Sequence, residues 1–294
     1  MLIITGINSF VGKKLENQCI KKNIKYFGVD KICKNSKNKK KVDLIKDKIE
    51  KYIPKNSIVI HLAAISTDKT CREDVELALK TNILATQRLL DACKKRKIKQ
   101  FIFASTEWIY GDVSKKSIIQ KETDVINIEK NKSEYALTKF VGEKLCNYMN
   151  NFFTVTILRF GIIYSPRLSN WTAVESLLYQ SATKDMIEIG SLKTARRFIH
   201  VDDIIAGIFS SIGKKKRGTF NLTGDSLIDL GELLSTCGKI LNKKITIIQK
   251  NKSGFSIRNP INRNAKKILN WKPKINLKQG LIEILKYFLK NKII

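Results

Sequence analysis

The chain of 294 residues carries 56 Lys and Arg against 26 Asp and Glu, a net charge of +30. That length buries a full hydrophobic core, and no apolar run reaches the ~18 residues of a membrane span, so membrane insertion is not expected. The chain opens directly on an apolar strand, with no basic leader or cleavage site, and the expected location is cytoplasmic.

Leu2, Ile3 and Ile4 form an apolar run without polar alternation, the pattern of a parallel-sheet strand buried on both faces. Thr5-Gly6 interrupts it, and a helical pattern follows over 10–22. A strand, a glycine turn and a helix together direct backbone N–H groups and a helix dipole at a pyrophosphate. Gly6 permits the tight turn and Gly12 the close approach of helix to sheet, while Ser9 stands where the middle glycine of such a turn usually lies. A second apolar run over 26–29 ends in Asp30, where a carboxylate holds the hydroxyls of an adenosine ribose.

The lysine-rich segment 34–41 reads as a polar loop before Val42-Asp43-Leu44. It has no interleaved aromatics for base stacking, and the lysine excess is spread along the chain with many Ile and Asn, as A/T-rich codons produce. No nucleic-acid partner is expected. The charge instead favours anionic small substrates such as nucleotides. A third strand covers 58–62, a long helix 73–96 and a strand 101–104, followed by a polar, proline-free loop over 111–132 that is expected to be mobile. Ser133 is placed to cap a helix reaching about residue 150, and a strand covers 153–158. This alternation predicts an α/β fold: a Rossmann-type doubly wound parallel sheet with helices on both faces.

Beyond residue 160 the alternation loosens. A helix is expected over 171–183, strands at 187–189 and 196–201, a helix capped by Asp202 and a strand at 219–222. Ser226, with Asp229 three residues on, is expected to cap the next helix, and Asn276 the last. The looser pattern fits a smaller α/β lobe. The six cysteines are scattered without a C-x-x-C pair and read as reduced thiols, and His61 and His200 are too few for a metal site, so no metal is expected. His61 reads as structural or cofactor-lining, His200 as core, Trp271 as packing of the second lobe and Tyr110 as packing of a cleft.

Tyr135 and Lys139 lie four residues apart, on one face of a helix, so phenol and ammonium can share a cleft. A neighbouring cation lowers a tyrosine pKa and makes the phenol a base near neutral pH. The preceding strand ends Ala104-Ser105-Thr106-Glu107-Trp108-Ile109-Tyr110-Gly111, placing a hydroxyl at the carboxyl edge of the sheet.

With these pieces the chain resembles the extended short-chain dehydrogenase/reductase family, the NAD-dependent epimerases and dehydratases of nucleotide sugars. The resemblance runs from Thr5-Gly6 with Phe10 and Gly12, through Asp30, Asp43, His61-Leu62-Ala63-Ala64 and Asn82 with Thr86. It continues through Ser105-Thr106, Tyr110-Gly111, Tyr135/Lys139, Leu158-Arg159-Phe160-Gly161 and 197–203 to Leu269-Asn270-Trp271-Lys272-Pro273. It implies an NAD-binding Rossmann domain over 1–160, with segments about 190–222 returning to it in part, and a mainly substrate-binding lobe over 161–294.

It implies NAD held by Gly6, Ser9, Phe10, Gly12, Asp30, Asp43, Leu62, Ala63, Ala64, Asn82 and Lys139, with Asp30 selecting NAD over NADP against the pull of Lys31. Tyr135 would be the acid/base, Lys139 would tune it and hold the nicotinamide ribose, and Thr106 would bond the sugar hydroxyl or ketone. Glu107, Arg196 and Arg258 would join Thr106 and Tyr135 in holding a nucleoside-diphosphate sugar, Arg196 through a phosphate. A homodimer is also implied.

The chain departs from its relatives at Trp108, which replaces the second acid of the dehydratases, in Ile162-Ile163-Tyr164-Ser165-Pro166, which lacks the Asn that relatives carry there for a sugar-phosphate contact, and at Arg197 where an Asp is common. The favoured reading is a nucleotide-sugar 4-epimerase working through a transient 4-keto sugar. A 4-ketosugar reductase, a dehydratase and a non-catalytic NAD-sensing protein are the alternatives.

Overall fold

The structure, a computed structural model, describes residues 1–213 and 217–294. Its first part alternates strands and helices: β1 (Leu2–Thr5), α1 (Phe10–Lys21), β2 (Tyr26–Asp30), β3 (Lys39–Lys41), β4 (Ile58–His61), α2 (Asp68–Glu73), α3 (Val75–Leu79), α4 (Ala85–Lys95), β5 (Gln100–Thr106), α5 (Glu134–Tyr148) and β6 (Thr154–Phe160). Then come β7 (Ile163–Tyr164), α6 (Ala173–Thr183), β8 (Met186–Ile189), β9 (Ala195–Arg196), β10 (Ile199–His200), α7 (Val201–Ser211) and β11 (Gly218–Leu222). β12 (Ile228–Asp229), α8 (Leu230–Leu241), β13 (Thr246–Gln249), α9 (Arg263–Leu269) and α10 (Leu277–Lys290) complete the chain.

Seven strands form one sheet in the order β11-β6-β5-β4-β1-β2-β3. β1 is buried throughout and pairs in parallel with β2 and β4, as its unbroken apolar run requires. The strand order reverses beside β1, the kind of position at which doubly wound sheets bind dinucleotides.

The chain divides into two compact units. One comprises Met1–Gly111, Val125–Arg159 and Ile205–Phe220, with a core that includes Ile3, Val59, Leu89, Phe101 and Phe103. The other comprises Asp112–Asp124, Phe160–Ile204 and Asn221–Ile294, with a core that includes Tyr164, Leu178, Leu234, Ile284 and Phe288.

Several local expectations are corrected. The helix expected over 73–96 is broken at Asp74 (φ −142°, ψ 83°), whose carboxylate accepts from Leu77 N and caps α3, and Lys80–Leu84 form a π-helical turn before α4. Three of the expected loop lysines form β3, an edge strand whose charges discourage pairing with other chains. The strand expected over 196–201 is two short pieces, and α7 begins at Val201, so Asp202 lies in the first helical turn rather than at the cap.

Asp229, not Ser226, caps α8, in a reciprocal box with Glu232. Asn276 caps α10 as expected, paired with Gln279. Residues 112–124 are stitched down within the second unit: Val113 N donates to Ile257 O, Gln120 N to Asn259 O, and Asn259 Nδ2 to Lys116 O and Ile118 O. Those partners lie far along the chain, so no local signal distinguishes this segment from a free loop.

Candidate active site

The turn after β1 is built as its glycines predict. Gly6 takes φ +71°, open to glycine at no steric cost, and a Cβ there would meet Ala63 N at 2.6 Å. A Cβ at Gly12 would run into the Gly6 and Ile7 carbonyl oxygens, so only glycine lets α1 start this close beneath the turn. Ser9 has φ −63° and ψ 167°, an ordinary extended conformation that needs no glycine. Its hydroxyl accepts from Gly12 N at 3.0 Å and caps α1.

Gly6, Ser9, Asp30, Asp43, Leu62, Ala63 and Ala64 line one cavity of about 260 Å³ in the first unit. The Asp30 carboxylate is oriented there by Asn8 N at 3.0 Å and Ile32 N at 3.1 Å, and that of Asp43 by Ile45 N at 2.8 Å. Phe10, Gly12, Asn82 and Lys139 are not in its wall. The Asn82 amide accepts from Ile65 N and donates to Ile65 O and to the Thr138 hydroxyl, so it fixes the chain after β4 against α5.

Thr81, which sequence reasoning missed, does line the cavity. It sits on the π-helical turn, which no sequence period announces, and its buried hydroxyl has no hydrogen-bond partner among the described residues. A cavity with a carboxylate at the end of β2, a helix N-terminus at the turn and a buried hydroxyl without a partner among the described residues fits NAD.

His61 is buried and fully bonded. Thr86 Oγ1 donates to Asn82 O at 2.7 Å, so it accepts from His61 Nε2 at 2.9 Å. His61 Nδ1 therefore accepts from the Thr5 hydroxyl at 2.6 Å, and Thr5 Oγ1 accepts from Ala63 N at 3.3 Å. Every donor has an acceptor only if the imidazole is neutral, and burial holds its pKa down at about 3.

On α5, Ser133 caps the helix by accepting from Ala136 N, and Asp68 Oδ1 accepts from Ser133 Oγ at 2.6 Å and from Tyr135 N at 3.4 Å. Thr106, the last residue of β5, accepts from Trp108 N at 3.3 Å, and its hydroxyl lies beside the Tyr135 phenol. Burial raises the phenol pKa, against the expected lowering, because lost solvation outweighs the opposing influence of the neighbouring Thr106 hydroxyl. Lys139 donates to Ala104 O at 2.8 Å, and burial lowers its pKa to about 8.

Trp108 meets the Tyr135 ring edge-on, with centroids 6.5 Å apart, and Asn131 Nδ2 donates to Trp108 O at 2.6 Å. Glu107 is completely enclosed, at 0 % exposure. Tyr110 does more than pack: Arg159 donates to its hydroxyl at 2.9 Å, with the guanidinium 4.9 Å from the ring centroid.

In the second unit, Arg196 donates to Ala195 O, Ser256 O and Ser256 Oγ, and Ser256 Oγ donates to Asp112 Oδ1 at 2.6 Å. Arg258 lies on the neighbouring segment, its N–H donating to Ala195 O at 3.2 Å. Arg197 donates to Asn259 Oδ1 and to the carbonyls of Gly224 and Asp225, and so ties three segments together. His200 is buried against the Tyr164 ring, and Trp271 is buried with its indole N–H donating to Asp203 O, both as expected. Among the described residues no cluster of His, Cys, Asp or Glu is placed to hold a metal, and no helix is long and apolar enough to cross a membrane.

A sequence model of the NAD dependent epimerase/dehydratase family matches residues 2–223. The chain belongs to this family. Within it, the chain is 28 % identical to an uncharacterized UDP-glucose epimerase of Bacillus subtilis over 97 % of both chains. It is 26 % identical to a UDP-N-acetyl-alpha-D-glucosaminuronate decarboxylase of Bacillus cytotoxicus, again over 97 % of both. The crystal structure of UDP-glucuronic acid 4-epimerase from Bacillus cereus, in complex with UDP-glucuronic acid and NAD, superposes with a TM-score of 0.84 at 26 % identity over 99 % of each chain. The family's NAD dependence agrees with the cavity described above.

Proposed function

We propose that the chain is an NAD-dependent 4-epimerase of a nucleoside-diphosphate sugar. The observation that carries this is the placing of Thr106, at the carboxyl end of β5, beside the buried Tyr135 phenol of α5, with Lys139 one helical turn along that helix. Bound NAD supplies the acceptor for the C4 hydride, its return, and in oxidised form a positive charge that favours a phenolate.

Tyr135 takes the proton of the sugar 4-hydroxyl as C4 is oxidised and gives it back as C4 is reduced. Thr106 donates to the phenolate or to the sugar oxygen and holds the two within reach. Lys139, largely protonated at neutral pH, stabilises negative charge on Tyr135. Gly6, Ser9, Asp30, Asp43 and Thr81 hold the dinucleotide, Asp30 by the adenosine ribose. Arg196 and Arg258 hold the substrate diphosphate.

Epimerisation is favoured over dehydration by Trp108 and Glu107. An indole stands where elimination would need an acid, and the one carboxylate beside it is enclosed. A homodimer is part of the proposal, supported by exposed Leu79, Leu84 and Leu137 on α3, the turn before α4, and α5. So is a reducing, cytoplasmic location, supported by six free buried cysteines.

The test is to denature the purified protein and identify any released dinucleotide. NAD in near-equal ratio to protein supports the epimerase, which keeps the hydride on site between half-reactions. An empty protein that binds NADH or NADPH weakly supports a reductase instead, and no dinucleotide binding overturns the reading. Tyr135→Phe is expected to abolish turnover and spare NAD binding.

A further inference from the structure

Tyr135, Lys139 and Glu143 are spaced four residues apart on α5 and share one helix face. Glu143 is buried, and so is its partner Arg159, with side-chain exposures of 5 % and 6 %. Arg159 grips both carboxylate oxygens, Nε to Oε1 at 2.9 Å and NH2 to Oε2 at 2.8 Å. The remaining donors around the pair reach one short segment. Ser105 Oγ donates to Glu143 Oε1 at 2.5 Å, and Arg159 NH1 donates to the Tyr110 hydroxyl at 2.9 Å. Thr106, Glu107 and Trp108 lie between Ser105 and Tyr110. The strand end that carries Thr106 is thus held at both sides by one ion pair, whose acid stands on the helix of Tyr135 and Lys139.

Stability alone does not account for such a pair. Apolar residues of similar volume in place of a buried ion pair are often as stable or more so, because two charges lose their hydration. A bidentate guanidinium–carboxylate contact instead fixes geometry, since both planes and both distances are set together. We propose that Glu143 and Arg159 are positioning residues that lock the Ser105–Tyr110 segment to α5 and so set where the Thr106 hydroxyl stands relative to the Tyr135 phenol. Neither touches substrate. The inference rests on the reading of Tyr135 as the acid/base.

The experiment compares wild type, Glu143→Gln, the double variant Glu143→Met/Arg159→Met and Tyr135→Phe, with UDP-glucose and UDP-glucuronate as probe substrates. The apolar double variant is expected to keep its melting temperature and its bound NAD. Its kcat is expected to fall ~10- to 100-fold while KM stays within about twofold, as misplacement of a reacting group by a fraction of an ångström produces. Glu143→Gln, which keeps the shape and one acceptor, is expected to recover part of kcat and to move the alkaline limb of the pH profile to lower pH, since the Glu143 charge supports protonated Lys139.

A stable double variant with kcat within about twofold of wild type would reduce the pair to a structural role and overturn the inference. If the double variant does not fold, an unchanged kcat and pH profile in Glu143→Gln overturns it equally. Full turnover by Tyr135→Phe, or no turnover of either probe by wild type, overturns the epimerase reading and carries this inference with it.

Discussion

His61 Nδ1 lies 2.6 Å from the Thr5 hydroxyl, one residue before Leu62 in one strand and before Gly6 in the other. That bond requires an imidazole without a proton on Nδ1, so a charged His61 breaks the chain that runs from Ala63 N to Asn82 O.

The consequence is a defined acid sensitivity. The folded pKa is about 3, below the ordinary value near ~6.5, so between these values the unfolded chain binds a proton that the folded one does not. Stability at His61 is therefore present above pH ~6.5 and is lost as pH falls toward 3. Urea midpoints of wild type and His61→Gln, measured between pH 7 and pH 4, are expected to converge on acidification. Parallel curves would show that His61 does not titrate on unfolding.

Lys139 acts with the same sign in a more alkaline window. Burial lowers its folded pKa to about 8 from the ordinary 10.5, so the unfolded chain binds the extra proton between these values and stability rises with pH there. Removing the buried charge in Lys139→Met is expected to raise the melting temperature at pH 7 relative to wild type, with the gain shrinking as pH approaches 10. The variant is expected to be inactive. A gain that does not change with pH would contradict the buried-ammonium account.

The turn after β1 makes two predictions of opposite sense. Restoring the usual glycine in Ser9→Gly is expected to leave NAD retention unimproved, because φ at residue 9 is already −63°, and to cost only a few tenths of ~1 kcal/mol through the lost cap. Gly12→Ala is expected to destabilise the protein by ~1–3 kcal/mol and to release NAD, because its methyl meets backbone that cannot swing aside. Thermal melts and the dinucleotide released on denaturation measure both.

Thr81 offers a test of the cavity that leaves the chemistry alone. Thr81→Val keeps the shape and removes a buried hydroxyl that has no partner among the described residues, and NAD affinity is expected to fall about fivefold to tenfold, the worth of one hydrogen bond of ~1 kcal/mol. Thr81→Ser is expected to stay near wild type. Titration calorimetry on protein stripped of dinucleotide decides the matter, and equal affinities for Val and Thr would remove Thr81 from the site.

What the sequence determined by itself is what short-range chemistry encodes. The buried run Leu2–Thr5, the glycines of the turn, Asp30 at the end of β2, the Ser133 cap and the Tyr135/Lys139 spacing are each set by neighbours within a turn or a strand. Their order was enough to specify a parallel doubly wound sheet and its ligand-binding edge.

The tertiary structure alone decided matters that depend on distant partners. Residues 112–124 are ordered because their backbone partners lie at 257–261, and Thr81 reaches the cavity because a π-helical turn follows the Asp74 cap. The Tyr135 phenol is raised rather than lowered because folding buries it, a desolvation that no i, i+4 spacing can report. Tyr110 and Arg159, separated by 48 intervening residues, became partners only when β5, α5 and β6 packed together. Spacing places a side chain on a face; the water that folding removes, and the groups it brings up instead, set what that side chain can do.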